Sequence, residues 1–176
     1  MGKSNKQSER SKQWIIDALF QLMDKQAFQK ISITEITDKA GVSRLTYYRN
    51  FSSKEDIILA YFDQEFNKFF KEYLIPNNKT MNIHEGIEIV FTYWKKGADI
   101  IKLLIRDGLT HLISSSFQTY LQQCADHKII VHKYDENQRV FIEGGMFFLL
   151  LHWVKSDCLQ TPDELAIIVE SMLKID

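Results

Sequence analysis

The sequence predicts an all-α protein: an N-terminal three-helix head of the helix-turn-helix kind, joined by a long fourth helix to a C-terminal helical bundle. Three observations predict it. Apolar residues recur at three- and four-residue spacing along most of the chain, and no run sustains the period-two alternation of a strand. Seven glycines and two prolines in 176 residues are too few for the many turns of a strand-rich fold. Start and stop signals for helices recur between the apolar segments. With 45% hydrophobic residues the chain can bury a substantial core. The expected division is 1–54 for the head and 55–176 for the helical body.

From Ser8 to Gln26, Trp14, Ile15, Ala18, Leu19, Leu22 and Met23 line one face of a first amphipathic helix. The run "SITE", Ser32 to Glu35, has the form of a capping box: the Ser32 hydroxyl accepts from the Glu35 N–H while the Glu35 carboxylate reaches back. A second helix therefore starts at Ile33. It stops at Gly41, the residue type that most readily takes positive φ at a helix end. Ser43 caps a third short helix over Arg44 to Asn50, after which Phe51 docks back on the core. Ser53 caps a long fourth helix in which Ile57, Ile58, Tyr61, Phe62, Phe66, Phe69, Phe70 and Tyr73 keep helical spacing until Pro76.

Asn82 caps a further segment through Trp94; Gly97 interrupts it, and Ile100 to Ile105 continue it up to Asp107-Gly108. A helix over Ser114 to Ala125 follows, then a stretch of unclear pattern from His127 to Tyr134. Val140 to Val154 and Asp163 to Leu173 are strongly apolar, the last with Thr161 as its cap and Pro162 in the first helical position.

A formal net charge of −1 hides an asymmetry. Residues 1–54 carry ten basic against five acidic side chains, a charge of +5, and residues 55–176 carry twelve against eighteen, a charge of −6. A basic head suits a polyanion. The polar N-terminus lacks the apolar core of an export signal, and the longest apolar run, Met146 to Leu151, falls well short of the ~20 residues of a membrane span. A cytoplasmic protein with no membrane partner is expected, and two unpatterned cysteines fit a reducing compartment.

Two short helices about a tight glycine turn, the second rich in hydrogen-bonding side chains, describe a helix-turn-helix whose second helix enters the DNA major groove. Arg44 can pair with guanine, Asn50 with adenine, and the Thr46 methyl can touch a thymine methyl. Tyr47 and Tyr48 offer flat faces and hydroxyls. Thr34 and Lys54, at the starts of the second and fourth helices, suit phosphate oxygens, and Lys3, Lys6, Arg10 and Lys12 can add affinity and salt dependence. The expected DNA-binding set is Thr34, Arg44, Thr46, Tyr47, Tyr48, Asn50 and Lys54.

The segment "ITEITDKAGVSRLTYYRNFSSKEDIILAYF" resembles the DNA-binding domain of the TetR family of bacterial regulators over roughly the first third of the chain. The capped second helix, the Ala-Gly-Val turn, Thr46, Tyr48, Phe51 and the Ser-Lys-Glu start of the fourth helix carry the likeness. The resemblance implies that Thr46, Tyr48 and Lys54 match common DNA-contact positions and that the remainder is a helical regulatory and dimerisation domain. Leu45 stands where many relatives have a small residue and is expected to face the helix packing. From Phe141 to Leu173 the chain is similar to a TetR-like subgroup described as regulators of dihydroxyacetone kinase.

The reading that follows is a homodimeric transcriptional regulator, a repressor, bound to a palindromic double-stranded operator and released by a small-molecule effector. The alternative is a TetR-fold adaptor or coactivator that acts through a protein partner without reading DNA. For the dimer interface, Phe141, Gly144, Gly145, Phe148 and His152 share a helical face with Leu165, Ile168, Val169 and Met172 from the last helix; the other assignment of this stripe is the core of a single chain. Phe91, Trp94, Leu104, Phe117 and Tyr120 are candidates for a ligand cavity, although residues of this kind are more often plain core. Cys124, His127 and His132 match no closed zinc spacing, so no metal site is expected. Asp157 disfavours a thiolate at Cys158. Neither a phosphate-cradling loop nor a nucleophile–base constellation stands out, so neither an enzyme nor a cofactor is expected.

Overall fold

The computed structural model describes residues 2–74, 82–126 and 135–173, with side chains described from Gln7 onward except at 74 and 124–126. Among them every regular element is helical, as expected. In chain order these are α1 (Gly2–Met23), a 3-10 turn (Phe28–Lys30), α2 (Ile33–Ala40), α3 (Arg44–Asn50) and α4 (Lys54–Phe69), which runs into a π-helical turn (Phe70–Leu74). Then come α5 (Ile83–Lys96), α6 (Ala98–Arg106), α7 (Thr110–Asp126), α8 (Glu136–Lys155) and α9 (Pro162–Leu173). No helix among the described residues is long and apolar enough to cross a membrane. His127 and His132 lie outside the described residues, as does the side chain of Cys124.

Two compact units form, Met1–Glu65 with Leu103–Leu112, and Phe66–Lys102 with Ile113–Asp176. This differs from a division at residue 54. The start of α4 belongs to the first core through Ile57, Ile58 and Phe62, none more than 2% exposed. The α6–α7 turn belongs there too, for a reason of charge. Asp107 is 9% exposed and accepts the Phe28 N–H at 2.9 Å. Arg106 grips the same carboxylate at 2.9 and 3.1 Å and donates to the Met23 carbonyl at 2.7 Å, while Gln29 donates to the Asp107 carbonyl. The α1–α2 connector, whose Phe28 N–H takes a side-chain acceptor, is thus closed by residues from much later in the chain.

The first unit is built from local signals that agree with one another. The Ser32 hydroxyl accepts from the Glu35 N–H at 3.2 Å and the Glu35 carboxylate accepts from the Ser32 N–H at 2.8 Å. Hydrogen bonds from the Ser32 hydroxyl and N–H, with a smaller one from Gln26, hold the Glu35 carboxyl down at about 2. Gly41 takes φ 65° at the end of α2. Ser43 caps α3, and Ser53 and Asp56 cap the start of α4 reciprocally at 3.1 and 3.0 Å. α1 packs on both α2 and α3 and buries Ile15, Ile16, Leu19 and Met23.

In the second unit α5 lies along α9, and Phe91 meets Trp153 of α8 edge to face at 5.2 Å. Phe66 stacks on Tyr120 at 4.3 Å. α8 begins earlier than its apolar run indicates, because Asp135 and Gln138 form a capping box ahead of it. Phe141, Phe148 and Met172 are 81%, 70% and 70% exposed, Gly145 and His152 are exposed, and Gly144 and Ile168 are half-buried. Two members of the expected interface are corrected: Leu165 and Val169 are 1% and 6% exposed, because that side of α9 is buried in its own chain. Cys158 is buried too, and that burial, more than Asp157, pushes its thiol up.

Candidate nucleic-acid interface

At seven residues α3 makes barely two turns, too few for its sequence to reveal which side faces in. The packing divides it sharply. Tyr47 is 0% exposed and packs its ring 6.1 Å from Phe51, whereas Tyr48 is 58% exposed and meets Tyr47 edge-on at 5.3 Å. Consecutive helix positions point about 100° apart, so one tyrosine becomes core and the other surface. The expected DNA contact by Tyr47 is therefore corrected. Burial pushes its hydroxyl up to about 12, and that hydroxyl has no hydrogen-bond partner among the described residues.

Asn50 is corrected as well. Its amide nitrogen donates to the Thr46 carbonyl at 2.7 Å and its oxygen accepts from the Ser8 hydroxyl at 3.1 Å, so both ends that would read an adenine tie α3 internally and to α1. Lys54 has a structural duty that its sequence position does not disclose. The ammonium donates to the carbonyls of Phe28 and Ile31 at 2.8 and 2.7 Å and sits 4.5 Å above the Phe28 ring. One N–H of three remains for a phosphate.

What is left on the outer side is compact. Arg44, Leu45, Tyr48 and Arg49 are exposed, and Thr46 is half-buried with its hydroxyl 2.9 Å from that of Ser43. Arg44 donates to the Thr34 hydroxyl, joining the first turn of α2 to the first turn of α3. Leu45, expected in the packing, is 69% exposed. Neither Leu45 nor Arg49 is in the sequence-derived set, and only the burial of their neighbours reveals them. A guanidinium pair, a threonine, an exposed ring and an apolar tip have the chemistry that guanine edges, phosphates and thymine methyls can meet.

A helix with its back in the core and a polar front, set behind a short capped helix and a left-handed glycine, can present its side chains to base edges. The chain is a helix-turn-helix DNA-binding protein. Residues 15–61 match the family described as "Bacterial regulatory proteins, tetR family", so this segment carries that family's DNA-binding domain. An "Uncharacterized HTH-type transcriptional regulator" of Haemophilus influenzae is 22% identical over 144 residues, covering 74% of this chain and 69% of that protein.

Among solved structures, the "Dihydroxyacetone kinase operon activator DhaS" superposes with a TM-score of 0.60 at 15% identity, covering 93% of both chains. The fatty acid degradation regulator FadR from Bacillus halodurans gives 0.57 at 19%, covering 93% of this chain and 94% of that one. FadR from Bacillus subtilis, in complex with stearoyl-CoA, gives 0.55 at 18%, covering 92% and 96%. At such identities these three likenesses concern the fold.

Proposed function

We propose that the protein is a cytoplasmic homodimeric repressor that binds a palindromic operator through α3 and is released by a small-molecule effector. The division of α3 carries the reading: Tyr47 and Phe51 anchor the helix, and Arg44, Leu45, Thr46, Tyr48 and Arg49 form the surface that reads DNA, with Thr34 and the spare N–H of Lys54 on phosphates. Two chains are needed because the half-sites of a palindrome lie in major grooves about 34 Å apart.

The interface is the face of Phe141, Gly144, Gly145, Phe148, His152, Ile168 and Met172. Each glycine inside α8 costs roughly 1 kcal/mol relative to alanine. A Cβ added at either meets nothing within 4 Å in its own chain, so packing inside one chain gives no reason for the pair. Close approach by a second copy supplies one. For the effector, Phe91, Trp94, Phe117 and Tyr120 contribute an aromatic interior to the second unit, suited to an apolar molecule such as the acyl group borne by the Bacillus subtilis neighbour. Leu104 drops out of that set, since it belongs to the first unit's core. Release needs the effector to favour a poorly spaced form by about 1–3 kcal/mol.

The test is selection of random duplex DNA by the purified protein at physiological salt, with Tyr48→Ala alongside. A palindrome recovered by the wild type and lost by the variant is expected. Salt-dependent but sequence-blind retention by a folded dimer overturns the reading in favour of a protein-binding adaptor. Gly145→Trp should yield monomers in sedimentation, and an unchanged dimer moves the interface elsewhere.

A further inference from the structure

His84 and Glu88 stand four residues apart on α5, so they share a face over its first two turns. The Asn82–Glu85 capping box, at 2.9 and 3.2 Å, fixes that end of the helix. On α9, Asp163 lies in the first turn and Glu170 seven residues later on the same side. Because the two helices run side by side, all four groups meet. His84 Nε2 lies 3.0 Å from an Asp163 oxygen and Nδ1 lies 3.3 Å from a Glu170 oxygen. The donor atoms of His84, Glu88 and Asp163 fall within 4.8 Å of one another.

We propose that His84, Glu88 and Asp163 bind one divalent transition-metal ion, with Glu170 as the positioning residue that orients the imidazole. The two ring nitrogens have different work. With Nδ1–H donated to Glu170, Nε2 faces an Asp163 oxygen, a pairing that needs either a proton or a metal ion between the two atoms. A proton there bonds Asp163 and leaves the half-buried Glu88 carboxylate, which makes no hydrogen bond among the described residues, without a bonded cation. A dication answers both carboxylates and the lone pair together.

A carboxylate behind the imidazole is also the arrangement that fixes the tautomer and raises the basicity of a metal-bound histidine. An ion at about 2.0–2.2 Å from each donor holds the donors about 3.5 Å apart, so the widest pair, now within 4.8 Å, has to close by up to about 1.3 Å. One imidazole with two carboxylates suits zinc or manganese, whereas magnesium and calcium favour all-oxygen shells. The ion would clip α5 to α9 within the second unit, independently of how α3 meets DNA.

Equilibrium dialysis of the full chain, stripped with chelator and then titrated with Zn2+, tests this with elemental analysis for stoichiometry. One Zn2+ per chain and a raised melting temperature are expected, with Mg2+ inactive at equal concentration. His84→Gln and Asp163→Asn should each lower affinity at least tenfold, and Glu170→Gln, which keeps an acceptor for Nδ1–H, should lower it less. His111→Gln, at another exposed histidine, should leave it unchanged. Glu88→Gln should weaken binding with the metal-free melting temperature unaltered, which separates ligation from a fold defect. Equal Zn2+ uptake by wild type, His84→Gln and Glu88→Gln, or no saturable uptake by the wild type, overturns the site.

Discussion

Replacing Asp107 by alanine should destabilise the first unit without touching any residue that faces DNA. The carboxylate is buried and serves the Phe28 N–H at 2.9 Å and the Arg106 guanidinium at 2.9 Å. Its loss strands a buried N–H, at a cost of about 1–3 kcal/mol. Arg106 is 46% exposed, so water takes over much of its role and the pair itself adds about 0–1 kcal/mol. The expected total is about 2–3 kcal/mol, read as a lower urea midpoint at unchanged slope.

Asp107→Asn keeps an acceptor for Phe28 and should lose about 1 kcal/mol, chiefly the charge-assisted part. Hydrogen bonds from Arg106, then from the Phe28 N–H, hold the carboxyl below its ordinary range against the opposing effect of burial. A lowered native pKa stabilises above the unfolded value of ~4 and ceases to do so as pH falls through the native value. The gap between wild type and Asp107→Asn should therefore be constant near neutrality and close below about pH 4. An Asp107→Ala midpoint equal to wild type, or a gap that widens in acid, refutes the clasp.

Tyr47→Phe removes a buried hydroxyl that has no partner among the described residues, so it should be neutral or stabilising by up to about 1 kcal/mol and leave operator affinity intact; Tyr47→Ala should cost about 3–5 kcal/mol in a urea melt. Gly41→Ala has open space around the new methyl but must hold φ 65°, and thermal melts should show a loss of about 1–2 kcal/mol. Lys54→Met should lower stability by about 1.5–3 kcal/mol in the absence of DNA, through the lost bonds to Phe28 and Ile31. If only DNA affinity falls, Lys54 acts on phosphate alone.

Elements with local signals were legible in the sequence. Ser32 with Glu35, Gly41, Ser43 and Asn82 each set a boundary through bonds spanning no more than a few residues, and each boundary stands where the chain predicts it. What escaped depends on partners far along the chain. Adjacent tyrosines read alike until the core claims Tyr47, and Leu45 reads as a packing residue until its exposure is known. Asn50 has the chemistry of base readout, yet Ser8 and the Thr46 carbonyl occupy it. Lys54 looks like a phosphate ligand because its carbonyl partners, Phe28 and Ile31, carry no mark in their side chains. The meeting of His84 with Asp163 spans 79 residues and follows from no periodicity.

The Leu103–Leu112 piece of the first unit bears on how such regulators can be recombined. Exchanging DNA specificity between relatives by cutting once after residue 65 would transplant the Phe28 N–H and the Met23 carbonyl while leaving Asp107 and Arg106 behind. The graft would carry an open connector beneath its reading helix. A working hybrid needs two cuts more, or a recipient that already holds an acid and a guanidinium at that turn. The unit of exchange here is a discontinuous pair of segments, and the residues at 106 and 107 should be transplanted together with the connector they close.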